Sequence, residues 1–153
     1  MVGMMIGFVF LVIGVIFLIV GVVAAKRAKA AQSWPVIPGI VVNSTVVEHE
    51  STDSEGDRSV TYEPLVEYSY NVMGQAFNAK RIAFGANRFN YKQAAEIAAR
   101  YPAGAQVNVH YNPDKVKDAT LETSAAGGKL FTILGAVMGA GGLVTMIVSL
   151  FTL

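Results

Sequence analysis

The segment VGMMIGFVFLVIGVIFLIVGVVAA, residues 2–25, contains no Asp, Glu, Lys, Arg or His side chain. A helix rises ~1.5 Å per residue, so this segment is long enough to cross a hydrocarbon layer of ~30 Å. A cleaved signal peptide is the main alternative, because the small residues of AAKRAKAAQ at 24–32 would suit a cleavage site. No basic region precedes the segment, and it exceeds the ~7–15 apolar residues of a signal peptide, so we predict a membrane span.

A second apolar segment, KLFTILGAVMGAGGLVTMIVSLFTL, occupies residues 129–153. We predict that it also spans the membrane, with a helix packed on a soluble domain as the alternative. All charged side chains lie from Lys26 to Lys129, so the chain divides into parts of different character. The prediction is two spans at 2–25 and 129–153, a basic juxtamembrane linker at 26–33 and a soluble β-rich domain at 34–124.

The composition excludes several classes of protein. Charged residues make up 15% of the chain, against ~25% in an average soluble domain, while 53% of the residues are hydrophobic. A net charge of +1 gives no concentrated basic surface for nucleic acid. The chain has no cysteine, which excludes disulfides, thiolate metal sites and cysteine nucleophiles.

Glycines recur every seventh residue in both apolar segments, which is close to two helical turns. Such spacing places glycines on one helix face, where a second helix can approach closely. We predict either a tight antiparallel hairpin or an oligomer of hairpins, although glycine is also common in membrane helices generally. The predicted packing residues are Gly7, Gly14, Gly21, Gly128, Gly135, Gly139 and Gly142.

Basic residues flank the two segments on the inner side of each. Because such residues favour the cytoplasmic side of a membrane, we expect the middle domain in the cytoplasm of a cell-membrane protein with two spans. Trp34 follows closely and suits the interface, where aromatic rings concentrate. The predicted interfacial anchors are Trp34, Lys26, Arg27, Lys29 and Lys129.

The middle of the chain alternates apolar and polar residues, the pattern of half-buried strands. We predict strands at 39–50, 60–73 and 76–84, a short helix near 90–101, and strands at 105–113 and 119–121. The turn-rich acidic stretch ESTDSEGDRS separates the first two strands, and Gly74 marks the next turn. The predicted fold class is two terminal membrane helices flanking a five-stranded sheet or partial barrel with one short helix.

Two motifs of this domain resemble the domain-of-unknown-function 3592 family of small membrane proteins. They are TYEPLVEYSYNVMG at 61–74 and YPAGAQVNVHYNP at 101–113. The matching residues are Trp34, Tyr62, Pro64, Val66, Tyr68, Tyr70, Gly74, Tyr101, Pro102, Gly104, Val107, Val109, Tyr111, Asn112 and Pro113. The likeness covers roughly residues 34–122 and departs from the family at the acidic insert 50–58. It implies an architecture between terminal membrane helices, with no established activity.

The sequence offers three sets of candidate chemical groups: two histidines, an acidic cluster and a pair of glutamates. His49 and His110 lack a cysteine or a carboxylate at a spacing that predicts a metal site. The acidic cluster resembles a mobile hairpin tip more than a calcium loop, because the calcium-loop ligand spacing and terminal Glu are missing. Glu63 and Glu67 would face each other only in a distorted strand. The cluster comprises Glu48, Glu50, Asp53, Glu55 and Asp57.

The domain has enough aromatic residues to form a stacking platform for nucleic acid, but the sequence shows no accompanying groove of Lys and Arg. Filling of the core is therefore the better interpretation of these residues. We therefore predict no catalytic, cofactor or metal site. The expected function is that of a non-enzymatic membrane protein in which a two-helix hairpin presents the β-rich domain at the membrane surface as an interaction or assembly module and forms oligomers through its glycine-striped helices. The expected partners are the lipid bilayer and a second copy or another membrane protein, with no nucleic acid bound. The alternative is a subunit or regulator of an oligomeric membrane pore, although residues 2–25 and 130–153 include no ionisable side chain.

Overall fold

The computed structural model describes residues 2–151, so Thr152 and Leu153 of the predicted second span lie outside the described residues. The chain forms two compact units. One is made of the two chain ends, up to Arg27 and from Gly127, and the other is made of residues 28–126. The helices are α1 Val2–Ala31, α2 Tyr91–Ala99 and α3 Gly128–Phe151. The strands are β1 Val36–Thr52, β2 Arg58–Val72, β3 Gln75–Ala79, β4 Phe84–Gly85, β5 Gln106–Asn112, β6 Lys115–Thr120 and β7 Ala125–Ala126.

Helices α1 and α3 confirm that the terminal segments are long apolar helices. Helix α1 continues to Ala31, through residues that the sequence analysis assigned to a linker. The physical reason is composition, since Ala, Lys and Arg are the best helix formers and dominate residues 24–31. The helix ends in a turn in which the amide of Trp34 donates to the carbonyl of Ala31 at 3.2 Å.

The main sheet confirms the prediction of a five-stranded sheet; its strands are in the order β3-β2-β1-β5-β6, and all neighbours pair antiparallel. Strands β2 and β3 join through a two-residue turn in which Met73 and Gly74 have φ of 52° and 84°. Positive φ at both positions is the geometry that matches the twist of an antiparallel hairpin. Gly74 meets this demand without a Cβ penalty, as its place in the sequence predicts.

The core lies on one face of this sheet. Alternate residues of β2, Val66, Tyr68 and Tyr70, are almost fully buried, as their period-2 spacing predicts. Strands β3 and β6 lie at opposite edges of the sheet, yet they contact each other without forming a ladder, which shows that the sheet curls. The Tyr70 hydroxyl donates to the carbonyl of Val116 in β6 at 2.7 Å, which links the two sides of this partial barrel.

The predicted third strand at 76–84 is divided in the structure. Strand β3 ends at Ala79, and Phe84 and Gly85 instead pair in parallel with Ala125 and Ala126. The partner segment is remote in sequence, so local alternation could not reveal this pairing. The last strand also begins earlier than predicted, at Lys115, because the turn after Asn112 is tight.

Helix α2 covers the core face near strands β1 and β2. The side chain of Asn90 caps its start by accepting from the Gln93 amide at 2.9 Å. Small residues Ala94 and Ala98 are buried, which lets the helix lie close to the sheet. At its other end the Ser44 hydroxyl donates to the Ala98 carbonyl at 3.0 Å, tying the helix to β1.

Candidate functional site

The two glycine series of the sequence face each other in the helical unit. A Cβ built on Gly14 would lie 2.5 Å from the amide nitrogen of Gly139, and one on Gly135 would lie 2.7 Å from the Gly14 carbonyl oxygen. The same holds at the next pair, where a Cβ on Gly142 would lie 2.6 Å from the Gly7 carbonyl oxygen. Only glycine permits backbones to approach this closely.

The contact extends along both helices in antiparallel order. A Cβ on Gly21 would lie 2.6 Å from Thr132 Oγ1, and the rings of Phe17 and Phe131 stack with centroids 5.8 Å apart. Gly128 is buried with the rest of its series. Gly139 differs, because a Cβ placed on it meets nothing within 4 Å, although Gly14 packs on its backbone. The energetic role of these glycines stays a prediction.

The remaining surface of α1 and α3 is apolar and exposed. Ile16 and Ile19 on α1 are 54% and 58% exposed, and Ile133 and Val137 on α3 are 63% and 65% exposed. Both helices are long and apolar enough to cross a membrane, and only 17% and 11% of their most apolar windows is buried. A helix from the core of a soluble protein would show the opposite distribution.

The predicted anchor residues occupy two kinds of environment. Lys26, Arg27, Lys29 and Lys129 are exposed, while Trp34 is half-buried. The Trp34 ring packs edge-on against the ring of Phe84, with centroids 6.1 Å apart. Ala28 and Ala31 join the same apolar cluster, so the last turn of α1 is fastened to the β-rich unit.

The segment that carries Phe84 is held on two sides. Strand β4 pairs with residues 125–126, which directly precede α3, and the Phe84 amide donates to the Ser124 carbonyl at 3.0 Å. The Arg81 guanidinium lies 5.1 Å from the centre of the Phe84 ring and forms an ion pair with Asp118. Phe84 thus contacts the first residues of the β-rich unit, within 28–34, and its last residues, within 124–126. Sequence reasoning missed this junction of the unit's two ends.

Buried tyrosine hydroxyls stabilise the loops around this junction. The Tyr68 hydroxyl donates to the Arg81 carbonyl at 2.8 Å. Burial, followed by the neighbouring Tyr70, raises the pKa of Tyr68 above its ordinary value. A hydroxyl that stays protonated keeps the hydrogen that it donates to the Arg81 carbonyl.

Tyr101 forms a second polar cluster with Glu122. The Tyr101 hydroxyl donates to Glu122 Oε1 at 2.7 Å, and Arg100 Nη1 donates to the same oxygen at 3.1 Å. Burial, followed by the hydrogen bond to Glu122, raises the pKa of Tyr101 to about 12. The Arg100, Tyr101 and Glu122 contacts join the end of α2 to the segment after β6.

The histidines differ from each other. His49 Nε2 lies 2.8 Å from Glu63 Oε2, a carboxylate partner that sequence spacing did not reveal. Asn87 donates to the other oxygen of Glu63 at 3.1 Å. His110 Nδ1 is buried without a hydrogen-bond partner among the described residues. Across residues 2–151, no three His, Asp or Glu side chains come together in a way that would hold a metal ion.

Of the acidic cluster, Asp53, Glu55 and Asp57 lie at a hairpin tip, while Glu48 and Glu50 lie within β1. Asp53 Oδ1 accepts from the amides of Glu55 and Asp57 at 3.0 and 2.9 Å, which uses this carboxylate to close the turn. Glu67, the candidate partner of Glu63, instead forms an ion pair with Lys80 at 2.6 Å. The two glutamates therefore serve separate contacts.

Comparison with known proteins agrees with this structural assignment. A family model described as Domain of unknown function (DUF3592) matches residues 37–126, which is more than half of the chain. The match confirms the resemblance inferred from the two strand motifs, and it covers all strands of the β-rich unit apart from the first residue of β1. No curated protein matches the chain.

Proposed function

Since the chain belongs to the DUF3592 family, we propose that it is a non-enzymatic membrane protein whose helix hairpin presents the family's β-rich domain at the membrane surface as an interaction or assembly module. The observation that carries this proposal is the distribution of side chains on α1 and α3. Glycines fill the contact between the helices, and large apolar residues cover the outside. That distribution suits lipid as the surrounding solvent.

The family motifs support a module without chemistry of its own. Tyr68 and Tyr70 fill the core and bond to backbone carbonyls, and Gly74 forms a turn. Gly104 also has a positive φ, of 83°. These residues explain the fold of the domain, and their hydroxyls are engaged within it.

The charge around the helices supports a cytoplasmic position for the domain. Lys26, Arg27 and Lys29 are exposed at the domain end of α1, and Lys129 is exposed at the start of α3. Basic side chains close to the ends of spans favour the cytoplasmic face. We therefore propose a cell-membrane protein with two spans and with its lysine-flanked domain inside.

Self-association is part of this proposal, through a helix face other than the paired glycine stripes. The stripes of α1 and α3 contact each other within one chain, which occupies them. A Cβ placed on Gly139 meets nothing within 4 Å, so α3 has room at Gly139, beside its paired stripe, for another helix. A second copy or another membrane protein would then bind beside α3.

Alkaline extraction of membranes tests the anchoring. The full chain should stay in the membrane pellet, and Ile16→Lys with Val137→Lys should reduce the recovered fraction, because both exposed residues lie near the middle of a span, where lysine is costly. Val42→Lys is the matched control, since Val42 is 61% exposed on the β-rich unit. Release of the unmodified chain into the alkaline supernatant would overturn the proposal.

A further inference from the structure

Strand β1 has an edge that is paired along only part of its length. Residues 36–40 pair with β5, and the Val41 amide donates to the Ala105 carbonyl at 2.9 Å. A bulge follows between Val41 and Asn43. Beyond it, β1 continues to Thr52 and, within residues 2–151, pairs with β2 alone, because its pairing with β5 ends near Gly104.

The backbone groups on this edge can be assigned from the opposite strand. Tyr62 and Phe89 exchange both backbone hydrogen bonds at 2.9 Å, so the Tyr62 backbone points away from β1. Tyr62 lies opposite Glu48. In an antiparallel ladder, the backbone groups of two opposite residues either both face the neighbouring strand and bond to each other or both face away from it. The amide and carbonyl of Glu48 therefore point out of the open edge, as do those of Val46 and Glu50 by alternation.

These backbone groups have no partner among the described hydrogen bonds. Neither the strand ladders nor the remaining backbone bonds of residues 2–151 engage the outward amides of Val46, Glu48 and Glu50. An unpaired row of this kind is a template for an added strand.

The opposite edge of the same hairpin is protected. On β2, Tyr62 is occupied by Phe89, and Pro64 has no amide hydrogen to offer on that side. Proline and local pairing are common means of blocking an edge strand. Residues 44–52 of β1 contain no proline and no lysine, so the two edges of the hairpin differ.

The charge of the open edge selects its partner. Glu48 and Glu50 are exposed on it, and the tip beyond adds Asp53, Glu55 and Asp57 against the single base Arg58. Two copies joined edge to edge would bring these carboxylates together, which is unfavourable. A strand carrying Lys or Arg would place opposite charges across the new ladder, while Val46 and Val47, both half-buried, offer apolar neighbours.

We propose that the edge of β1 formed by residues 44–50 binds an extended basic segment of a partner protein as an added β-strand. The segment alternates Lys or Arg with apolar residues, and its backbone pairs with Val46, Glu48 and Glu50. This inference rests on the proposed function of an interaction module and assigns the surface that such a module uses.

The test measures amide hydrogen exchange in the full chain in detergent micelles. The probe is a short acetylated peptide of alternating Lys and Val. Bound peptide should slow exchange of the amides of Val46, Glu48 and Glu50 by about tenfold or more, because they become hydrogen-bonded. A peptide N-methylated at every residue has no backbone amide hydrogen on either edge and should give no protection. Equal protection by the methylated peptide, or none by the unmodified peptide, overturns the assignment.

Charge variants test the selectivity. Glu48→Lys with Glu50→Lys should weaken binding of the peptide by about fivefold or more, since each cross-strand ion pair contributes modestly. The control places the same charges at the tip, as Glu55→Lys with Asp57→Lys, and should weaken binding less. An equal loss of affinity in both variants would show that the peptide is attracted only by the overall negative charge of the hairpin, and it would overturn the edge site.

The result is separable from the test of anchoring. A chain that stays in the membrane pellet but protects no amide contradicts only the edge assignment. A chain that alkaline buffer extracts contradicts the proposed function itself, whatever the peptide does.

Discussion

Gly14 and Gly139 lie so close that a Cβ on Gly14 would stand 2.5 Å from the Gly139 amide nitrogen. The relationship is one-sided, since a Cβ on Gly139 meets nothing within 4 Å. A repeat of glycines therefore does not make every member equivalent. The distances separate glycines whose missing side chain makes room for a neighbouring backbone from glycines that have space to spare.

Replacing Gly14 with alanine should destabilise the hairpin by about 1–3 kcal/mol, because the helices must move apart to admit the methyl group. Gly141→Ala is the matched control, since its site is open, and it should be neutral or slightly stabilising because alanine favours helix by ~1 kcal/mol. Thermal unfolding in one detergent measures both. Equal unfolding temperatures for the two variants would contradict the close approach.

Replacing Phe84 with alanine should loosen the last turn of α1 from the β-rich unit. Phe84 is 5% exposed, and truncating a buried phenylalanine typically costs about 3–5 kcal/mol. Trp34 is the single tryptophan of the chain, so its fluorescence reports on this contact directly. The emission should shift to the red as water reaches the indole ring. Phe89→Ala is the control, and a comparable shift there would argue against a specific contact.

Replacing Gly85 with alanine should break the parallel pair between β4 and β7. Gly85 has φ of 99°, and its Cβ would collide with the Ala126 carbonyl oxygen. Gly74 is the control, because its φ of 84° carries similar strain of ~1–2 kcal/mol but its Cβ would meet open space. Chemical unfolding should show a larger loss of stability for Gly85→Ala. A larger loss for Gly74→Ala would contradict the assigned contact.

Tyr101 should make the domain less stable in strong alkali. Its pKa in the folded protein is raised to about 12 from the ordinary value of 10.0. Between these values the folded state holds a proton that the unfolded state loses, so the free energy of unfolding falls as pH rises. The contribution of the Tyr101 proton to the free energy of unfolding is complete below pH 10 and is lost as the pH approaches 12.

Urea unfolding at about pH 9, 10 and 11 checks this prediction, because these pH values bracket the tyrosine pKa of about 10 in the unfolded chain. Tyr101→Phe cannot ionise, so its stability should fall less steeply over this range than that of the unmodified chain. Tyr111→Phe, at a half-buried tyrosine elsewhere in the domain, provides a comparison. Parallel pH profiles for the Tyr101→Phe variant and the unmodified chain would contradict the assigned ionisation.

Local sequence patterns predict the parts of this fold that local physics decides. The period-2 spacing of Val66, Tyr68 and Tyr70 identified the buried face of β2, and the unbroken apolar segments identified α1 and α3. The pairing of Phe84 with Ala125 was beyond such patterns, because it joins segments distant in the chain. The contact of His49 with Glu63 likewise depends on the register of β1 against β2.

The absence of cysteine from the chain makes single-cysteine labelling the most direct test of a membrane hairpin with its domain inside the cell. Ser54→Cys lies at the exposed hairpin tip, and Ile16→Cys lies on the outer face of α1. With a membrane-impermeant maleimide, Ser54→Cys should be labelled only after the cells are opened. Ile16→Cys should be labelled only after denaturation, because lipid excludes the reagent. Labelling of Ser54→Cys in intact cells, or of Ile16→Cys in native membranes, would contradict the account.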